Sequence, residues 1–435
     1  MTKGLSLTVT LLFCAMLTLT GCVQEVDRTQ GSTPSPVPGE SGVGASELAR
    51  EHLSTGKTLY AEDRWQEAIV ALTEAVRLDP QLADAYYYRA RAYGNIGQHS
   101  YAVEDLSTVL QIEPQFPLAT YYRGRSYHDL GQYSNAVSDF TTAIEQDPTL
   151  GTTYYYRARS ESELGLHVEA IADFTRALEL DPQLAVAYFY RGRAHHDGGN
   201  LHEAIVDFTR AIELEPQLTL AYYYRGYSEY SLGQLEPSID DFTRALELDP
   251  DFALAYYYRG RALRSLGTLV ESISDFSQAI EHDPEFSLAY YYRGRSYRSL
   301  GEFDAAIHDF TRAVEIDAQF TLAYYYRGRS YRSLGQHAET IVDLTRVLEL
   351  NPRLSAAFYY RGRAYQDLGE CEDAIQDYSE AIALDPVLIV AHYYRALCRA
   401  DLGLTDEARR DLETVVRESD DETLTELARA QLNEL

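Results

Sequence analysis

The chain has 435 residues, and its 38 basic against 67 acidic side chains leave a net charge of −29. That balance runs against nucleic-acid binding, because a surface that tracks phosphates needs net positive charge. Apolar residues make up 45%, too many for a disordered chain, and four cysteines are too few for a disulfide scaffold. Tyrosine is the anomaly, with 37 copies. Lysine is nearly absent, since only Lys3 and Lys57 occur and arginine supplies the rest of the positive charge.

Residues 1–22 read as an address rather than as part of the fold. Lys3 gives a short basic start, and an apolar run from Leu5 to Thr20 follows, short for a membrane span. The run closes on Leu19-Thr20-Gly21-Cys22. This resembles the lipobox of bacterial lipoproteins, an aliphatic residue and two small ones before a cysteine. The resemblance implies cleavage before Cys22, a diacylglycerol on its thiol, and an extracytoplasmic body held at a membrane surface. Residues 23–48 are rich in Gly, Ser, Pro and Thr without an apolar period, and read as a tether.

From residue 49 a single pattern repeats. Prolines at 80, 114, 148, 182, 216, 250, 284, 352 and 386 are 34 residues apart except for one double step, where Ala318 holds the missing place. With that proline at position 32, eleven repeats fill residues 49–422. Position 8 is small, as in Gly260 and Gly294, and position 24 is large and apolar, as in Phe276 and Phe310. Position 15 is Gly in every repeat but the first, where Asp63 stands. These matches in phase resemble the tetratricopeptide repeat. The resemblance implies an all-α solenoid, a right-handed superhelix of helix–turn–helix units whose A helices line a concave groove. Residues 423–435 then read as a capping helix. Asp420 or Asp421 caps it, and Leu424, Leu427, Ala428, Leu432 and Leu435 form its apolar stripe.

Comparison between repeats isolates three features. First, position 7 is Arg and position 23 is Asp in repeats two to eleven, from Arg89 and Asp105 to Arg395 and Asp411. The first repeat has Thr55 and Ala71 and lacks both together. Joint presence and joint absence predict an internal Arg–Asp pair in each repeat, among them Arg259/Asp275, Arg293/Asp309 and Arg327/Asp343. Second, position 5 is aromatic and position 9 is mostly Arg, which the resemblance places in the groove. At 100° per residue three consecutive tyrosines cannot share a face, so position 4 is expected in the core, 5 in the groove and 6 at the seam between repeats. Third, the acids Asp129, Glu163, Asp197 and Asp367 stand four residues after Arg125, Arg159, Arg193 and Arg363, a spacing that neutralises those arginines. Repeats seven to nine have Ser265, Ser299 and Ser333 there instead, and add Arg264, Arg298 and Arg332.

The candidate ligand patch is therefore Tyr257, Arg261, Arg264, Tyr291, Arg295, Arg298, Tyr325, Arg329 and Arg332. The expected partner is a protein or peptide with acidic or carboxylate-bearing character, and the expected role is a membrane-anchored scaffold or adaptor in the bacterial cell envelope. A second reading is cell-wall or carbohydrate binding by stacked groove tyrosines. No nucleophile–His–acid set and no phosphate loop appears, so no enzyme class and no cofactor is indicated. His195, His196 and His202 lack carboxylate or Cys support at ligand spacing, so no metal site is indicated either. Cys371 and Cys398 sit in neighbouring repeats, and both a disulfide and two free thiols are open.

Overall fold

The computed structural model describes residues 42–435, so Cys22 and most of the tether lie outside the described residues. Among the described residues there are 23 helices and no strand. None of these helices is long and apolar enough to cross a membrane. Contacts divide the chain after Arg89 into two compact units.

The first unit holds α1 (Gly42–Ala61), α2 (Trp65–Leu78) and the start of α3 (Ala83–Asn95). Helix α1 begins at Gly42, so the last residues assigned to the tether are helical. Gly56 lets α1 close on α2: a Cβ there would stand 2.5 Å from Leu72 Cγ. Leu53, Ala68, Leu72, Ala75, Val76 and Ala85 form the core. The α1–α2 turn needs one residue in the left-handed region, and Asp63 adopts it at φ 58°. Every later repeat uses Gly at this place.

The second unit continues with hairpins of near-identical length. They are α4 (His99–Ile112), α5 (Ala119–Asp129) with α6 (Tyr133–Gln146), α7 (Gly151–Glu163) with α8 (His167–Leu180), and α9 (Ala185–Asp197) with α10 (Leu201–Leu214). There follow α11 (Thr219–Ser231) with α12 (Leu235–Leu248), α13 (Ala253–Leu266) with α14 (Leu269–His282), and α15 (Ser287–Ser299) with α16 (Phe303–Ile316). The last are α17 (Thr321–Ser333) with α18 (His337–Leu350), α19 (Ser355–Asp367) with α20 (Cys371–Leu384), α21 (Ile389–Asp401) with α22 (Thr405–Glu418), and α23 (Glu422–Glu434).

Small residues set the helix spacing. A Cβ on Gly260 or Gly294 would meet the Phe276 or Phe310 ring at 3.0 or 2.9 Å, so helix A lies directly on the phenyl of helix B. Each B helix of repeats one to ten ends on an Asp or its analogue. In several repeats that side chain accepts the N–H two residues on, as Asp181 does from Gln183 at 3.1 Å and Asp317 from Gln319 at 2.9 Å. This local turn explains why Ala318 is tolerated: the proline is one stop signal and the aspartate another. In repeat three Pro117 begins the repeat, α5 starts late, and Leu118 is driven to φ 61°. Asp421 is the residue that caps α23, accepting from the N–H groups of Thr423 and Leu424 at 2.9 and 3.2 Å. Ala428 is buried and Leu424, Leu432 and Leu435 pack on the core of repeat eleven. Leu427 is exposed, so the stripe is narrower than expected by one residue.

Candidate functional site

Nine Arg–Asp pairs run through the second unit, from Arg123–Asp139 to Arg395–Asp411, each bidentate with both oxygens at 2.5–2.9 Å. The set includes Arg259–Asp275, Arg293–Asp309 and Arg327–Asp343. The third nitrogen of each guanidinium makes a further bond that the sequence reading missed. It donates to a Thr or Ser hydroxyl of the preceding repeat, as Arg259 does to Thr243 and Arg327 to Thr311, both at 3.0 Å. Arg89 makes the same bond to Thr73 within the first unit, at 3.2 Å. In six repeats that hydroxyl donates its own proton to the carbonyl four residues back, as Thr243 does to Ile239 at 2.7 Å. Each arginine therefore ties two helices of its own repeat to the repeat before it, with all three of its nitrogens engaged internally, as in Arg259.

The position-5 aromatics differ from expectation. Tyr257 and Tyr291 are only 2 and 3% exposed, and Tyr325 is half-buried. The cause is the aromatic packing of the same repeat together with one ring of the following repeat. Tyr257 meets the Phe276 ring at 6.2 Å, Phe286 at 4.8 Å and the seam ring Tyr292 at 5.8 Å. Tyr292 in turn stacks on Phe276 at 6.0 Å, the seam role expected of position 6. Burial pushes the Tyr291 hydroxyl up to about 12. The Tyr257 and Tyr291 rings present no open face to a ligand. Position 4 reaches the core only in some repeats. Tyr290 is buried there. Tyr256 is half-buried, lies beside Arg259 and stacks on His282 at 5.8 Å. Tyr324 lines a surface hollow with Ile341, Val342 and Arg346.

The position-9 arginines are also partly structural. Arg261, Arg295 and Arg329 lie over the seam rings of the next repeat, Tyr292, Tyr326 and Tyr360, at 4.8, 4.8 and 4.5 Å. Arg125, Arg159 and Arg363 do the same. Because each guanidinium leans forward onto that ring, it leaves its own i+4 acid. Among the described residues no ion pair joins Arg125 to Asp129, Arg159 to Glu163, Arg193 to Asp197 or Arg363 to Asp367. Asp367 instead takes Arg332 of the preceding repeat at 3.0 Å, which removes Arg332 from the unpaired set.

Five of the six arginines in the candidate patch remain without a carboxylate among the described residues: Arg261, Arg264, Arg295, Arg298 and Arg329. Arg264 and Arg298 differ from the position-9 arginines in their electrostatics. Their buried, unbonded Nε atoms they share with Arg261 and Arg363; the difference lies in the direction of their pKa shifts. Burial pulls the Arg264 pKa down, and the charge of Arg295 adds to it. Arg298 is lowered by burial and by Arg329 in the same way. Arg264 and Arg298 thus each feel the like charge of a position-9 arginine in the next repeat, Arg295 and Arg329.

A second set of titratable groups lies at position 11, beside the Arg–Asp pairs. Glu161 and Glu229 stand there in repeats four and six, each with Oε2 buried and unbonded. Burial, then the neighbouring Asp173 or Asp241, pushes both carboxyls up to about 7. Among the described residues no three His, Cys, Asp or Glu side chains converge in a way that would hold a metal ion.

Helical hairpins stacked through one repeating seam define an α-solenoid. A family model described as "TPR repeat" matches residues 56–97, 226–263 and 362–403. Models described as "Tetratricopeptide repeat" match residues 121–150, 185–218, 287–320 and 322–353. The body of the chain is therefore a tetratricopeptide-repeat solenoid, an architecture of protein-interaction scaffolds. No match was found among curated proteins. Among solved structures the chain is similar to YrrB, titled a TPR protein with an unusual peptide-binding site, at 27% identity over 43% of this chain and 97% of that one, TM-score 0.39. It is similar to the APC/C hetero-tetramer Cut9-Hcn1 at 14% identity over 91 and 99%, TM-score 0.43. It is also similar to MamA of Desulfovibrio magneticus RS-1 at 21% identity over 40 and 97%, TM-score 0.38.

Proposed function

We propose that the protein is an envelope scaffold, anchored by a diacylglycerol on Cys22, whose repeats seven to nine hold an acidic or carboxylate-ended segment of a partner protein. The observation that carries the reading is the pair Arg264/Arg295 and its copy Arg298/Arg329. Half-burying guanidinium groups beside one another without a carboxylate is costly, and an anion bound between them relieves both the repulsion and the unbonded donors. The neighbouring arginines at position 7 are each charge-paired with an aspartate, so they compete weakly for that anion. Position 13 offers no internal substitute. Ser265, Ser299 and Ser333 carry no charge, and their hydroxyls donate to the carbonyls of Arg261, Arg295 and Arg329 at 3.0, 3.0 and 3.1 Å.

The alternative of sugar stacking on the position-5 tyrosines loses most of its platform in the patch, since Tyr257 and Tyr291 are buried. Affinity capture from envelope extract tests the proposal. The full chain should retain a partner at low salt, and Arg264→Gln with Arg298→Gln should lose it. Charge reversal of Arg261, Arg295 and Arg329 is a poorer test, because each also holds a seam ring. A partner retained equally by the double variant would move the site elsewhere.

A further inference from the structure

Nine seams join repeats two to eleven, and one of them is unlike the rest. Position 17, at the start of helix B, reaches helix A of the following repeat. The approaches of His99 Nδ1 to Asp129 and of His337 Nδ1 to Asp367, both at 3.6 Å, mark this step. At the other eight seams position 17 is His, Tyr, Leu or Phe, and position 10 of the next repeat is Ser or Ala. At the seam between repeats ten and eleven both change at once, to Cys371 and Cys398. Both are buried free thiols in one apolar cluster with Ala374, Tyr378 and Ala391. That cluster brings the two side chains together across the seam, and Cys371 Sγ stands 3.9 Å from Asp401 Oδ2, in the same helix as Cys398.

We propose that Cys371 and Cys398 are a modification site, a thiol pair that oxidises to a disulfide fastening α20 to α21. The simultaneous change of two facing positions, at one seam only, carries the inference. A large residue over a small one fills the same space at the other seams, and nothing in packing alone calls for sulfur on both sides.

The reaction is a two-electron exchange with a low-molecular-weight disulfide such as oxidised glutathione. The Cys371 thiolate, the less buried of the two, attacks one sulfur of that disulfide and expels the first thiolate. The Cys398 thiolate then attacks the Cys371 sulfur of the mixed disulfide and expels the second. The reagent is reduced by two electrons, and the two protons from the protein thiols end on the two leaving thiolates. In the closed seam burial and the neighbouring Cys371 hold the Cys398 thiol far above the ordinary range, so thiolate is scarce there. Formation therefore proceeds through an opened seam, during folding or by local opening of the array. Once closed, the bond is shielded from reductant.

The test uses the full chain, unfolded in denaturant and refolded in a buffer of oxidised and reduced glutathione, then alkylated and digested with trypsin. Cleavage after Arg363, Arg395 and Arg399 places the two cysteines on residues 364–395 and 396–399. The expected product is these two peptides joined and two hydrogens lighter than their sum, separated again by reductant. The refolded protein should unfold several degrees higher oxidised than reduced. Cys398→Ser, which installs the residue found at that position in Ser126, Ser160, Ser228, Ser296 and Ser330, should abolish the difference. Recovery of both peptides fully alkylated after oxidative refolding would overturn the proposal, as would their joining only to Cys14 or Cys22.

Discussion

Replacing Asp275 by Ala strips Arg259 of the carboxylate that holds two of its nitrogens at 2.7 and 2.8 Å, and leaves only the bond to Thr243. The Asp275 side chain is 7% exposed and that of Arg259 is 20% exposed. The cost should be about 3 kcal/mol, the lower end for breaking a buried pair, since the guanidinium retains some contact with water. Replacing both partners, Arg259→Leu with Asp275→Leu, should cost only about 1 kcal/mol, mostly the lost bond to Thr243. A repeat array need not unfold in one step, so the assay is hydrogen exchange read on peptides from α13 and α14. A loss of about 3 kcal/mol speeds exchange there on the order of a hundredfold. The double variant should restore most of the protection. If the double loss equals the sum of the two single losses, the pair does not act as a unit and the reasoning fails.

Further outcomes follow from the same structure. Glu161 and Glu229 have folded pKa values of about 7 against an ordinary 4.5, so they stabilise the fold most fully below the ordinary value, and that contribution is lost as pH rises toward 7. Glu161→Gln with Glu229→Gln should flatten the pH dependence of stability between pH 5 and 8 and raise stability at pH 8 by about 2 kcal/mol per site. An unchanged pH profile would contradict it. Gly294→Ala should destabilise by about 1–2 kcal/mol, because its Cβ would strike the Phe310 ring at 2.9 Å. Gly94→Ala, with nothing within 4 Å, should instead stabilise by about 0.5–1 kcal/mol, both read by thermal melts. Leu118→Gly should stabilise by about 1 kcal/mol by relieving a φ of 61° at an exposed site, and a drop in melting temperature would count against the strain.

Much of this fold was legible because one chain offers eleven versions of the same unit. The period, the Gly260–Phe276 type of contact and the Arg–Asp pairing all came from comparing repeats, without any second sequence. The Thr and Ser acceptors were missed although their signal is present. Position 25 is Ser or Thr in repeats one to ten, including Thr73 in a repeat with no Arg of its own at position 7, and becomes Glu413 where the capping helix follows instead of a repeat. The failures share one physical cause. Tyr257 and Tyr291 read as groove residues on an isolated helix, and phenylalanines from the rest of their own repeat, with one tyrosine of the next, then cover them. The position-9 arginines read as paired with acids four residues on, whereas the flat face of the next repeat's tyrosine draws them forward. The Arg332–Asp367 pair is 35 residues apart, so it is invisible to any pattern within one repeat.

The most direct test of the anion-binding face is a titration with a fluorescent peptide rich in Asp and Glu and ending in a free carboxylate, followed by anisotropy at several salt concentrations. The account predicts saturable binding that weakens as salt rises, and that is lost in Arg264→Gln with Arg298→Gln while helicity and melting temperature stay unchanged. Equal binding by wild type and double variant, or binding indifferent to salt, would contradict it.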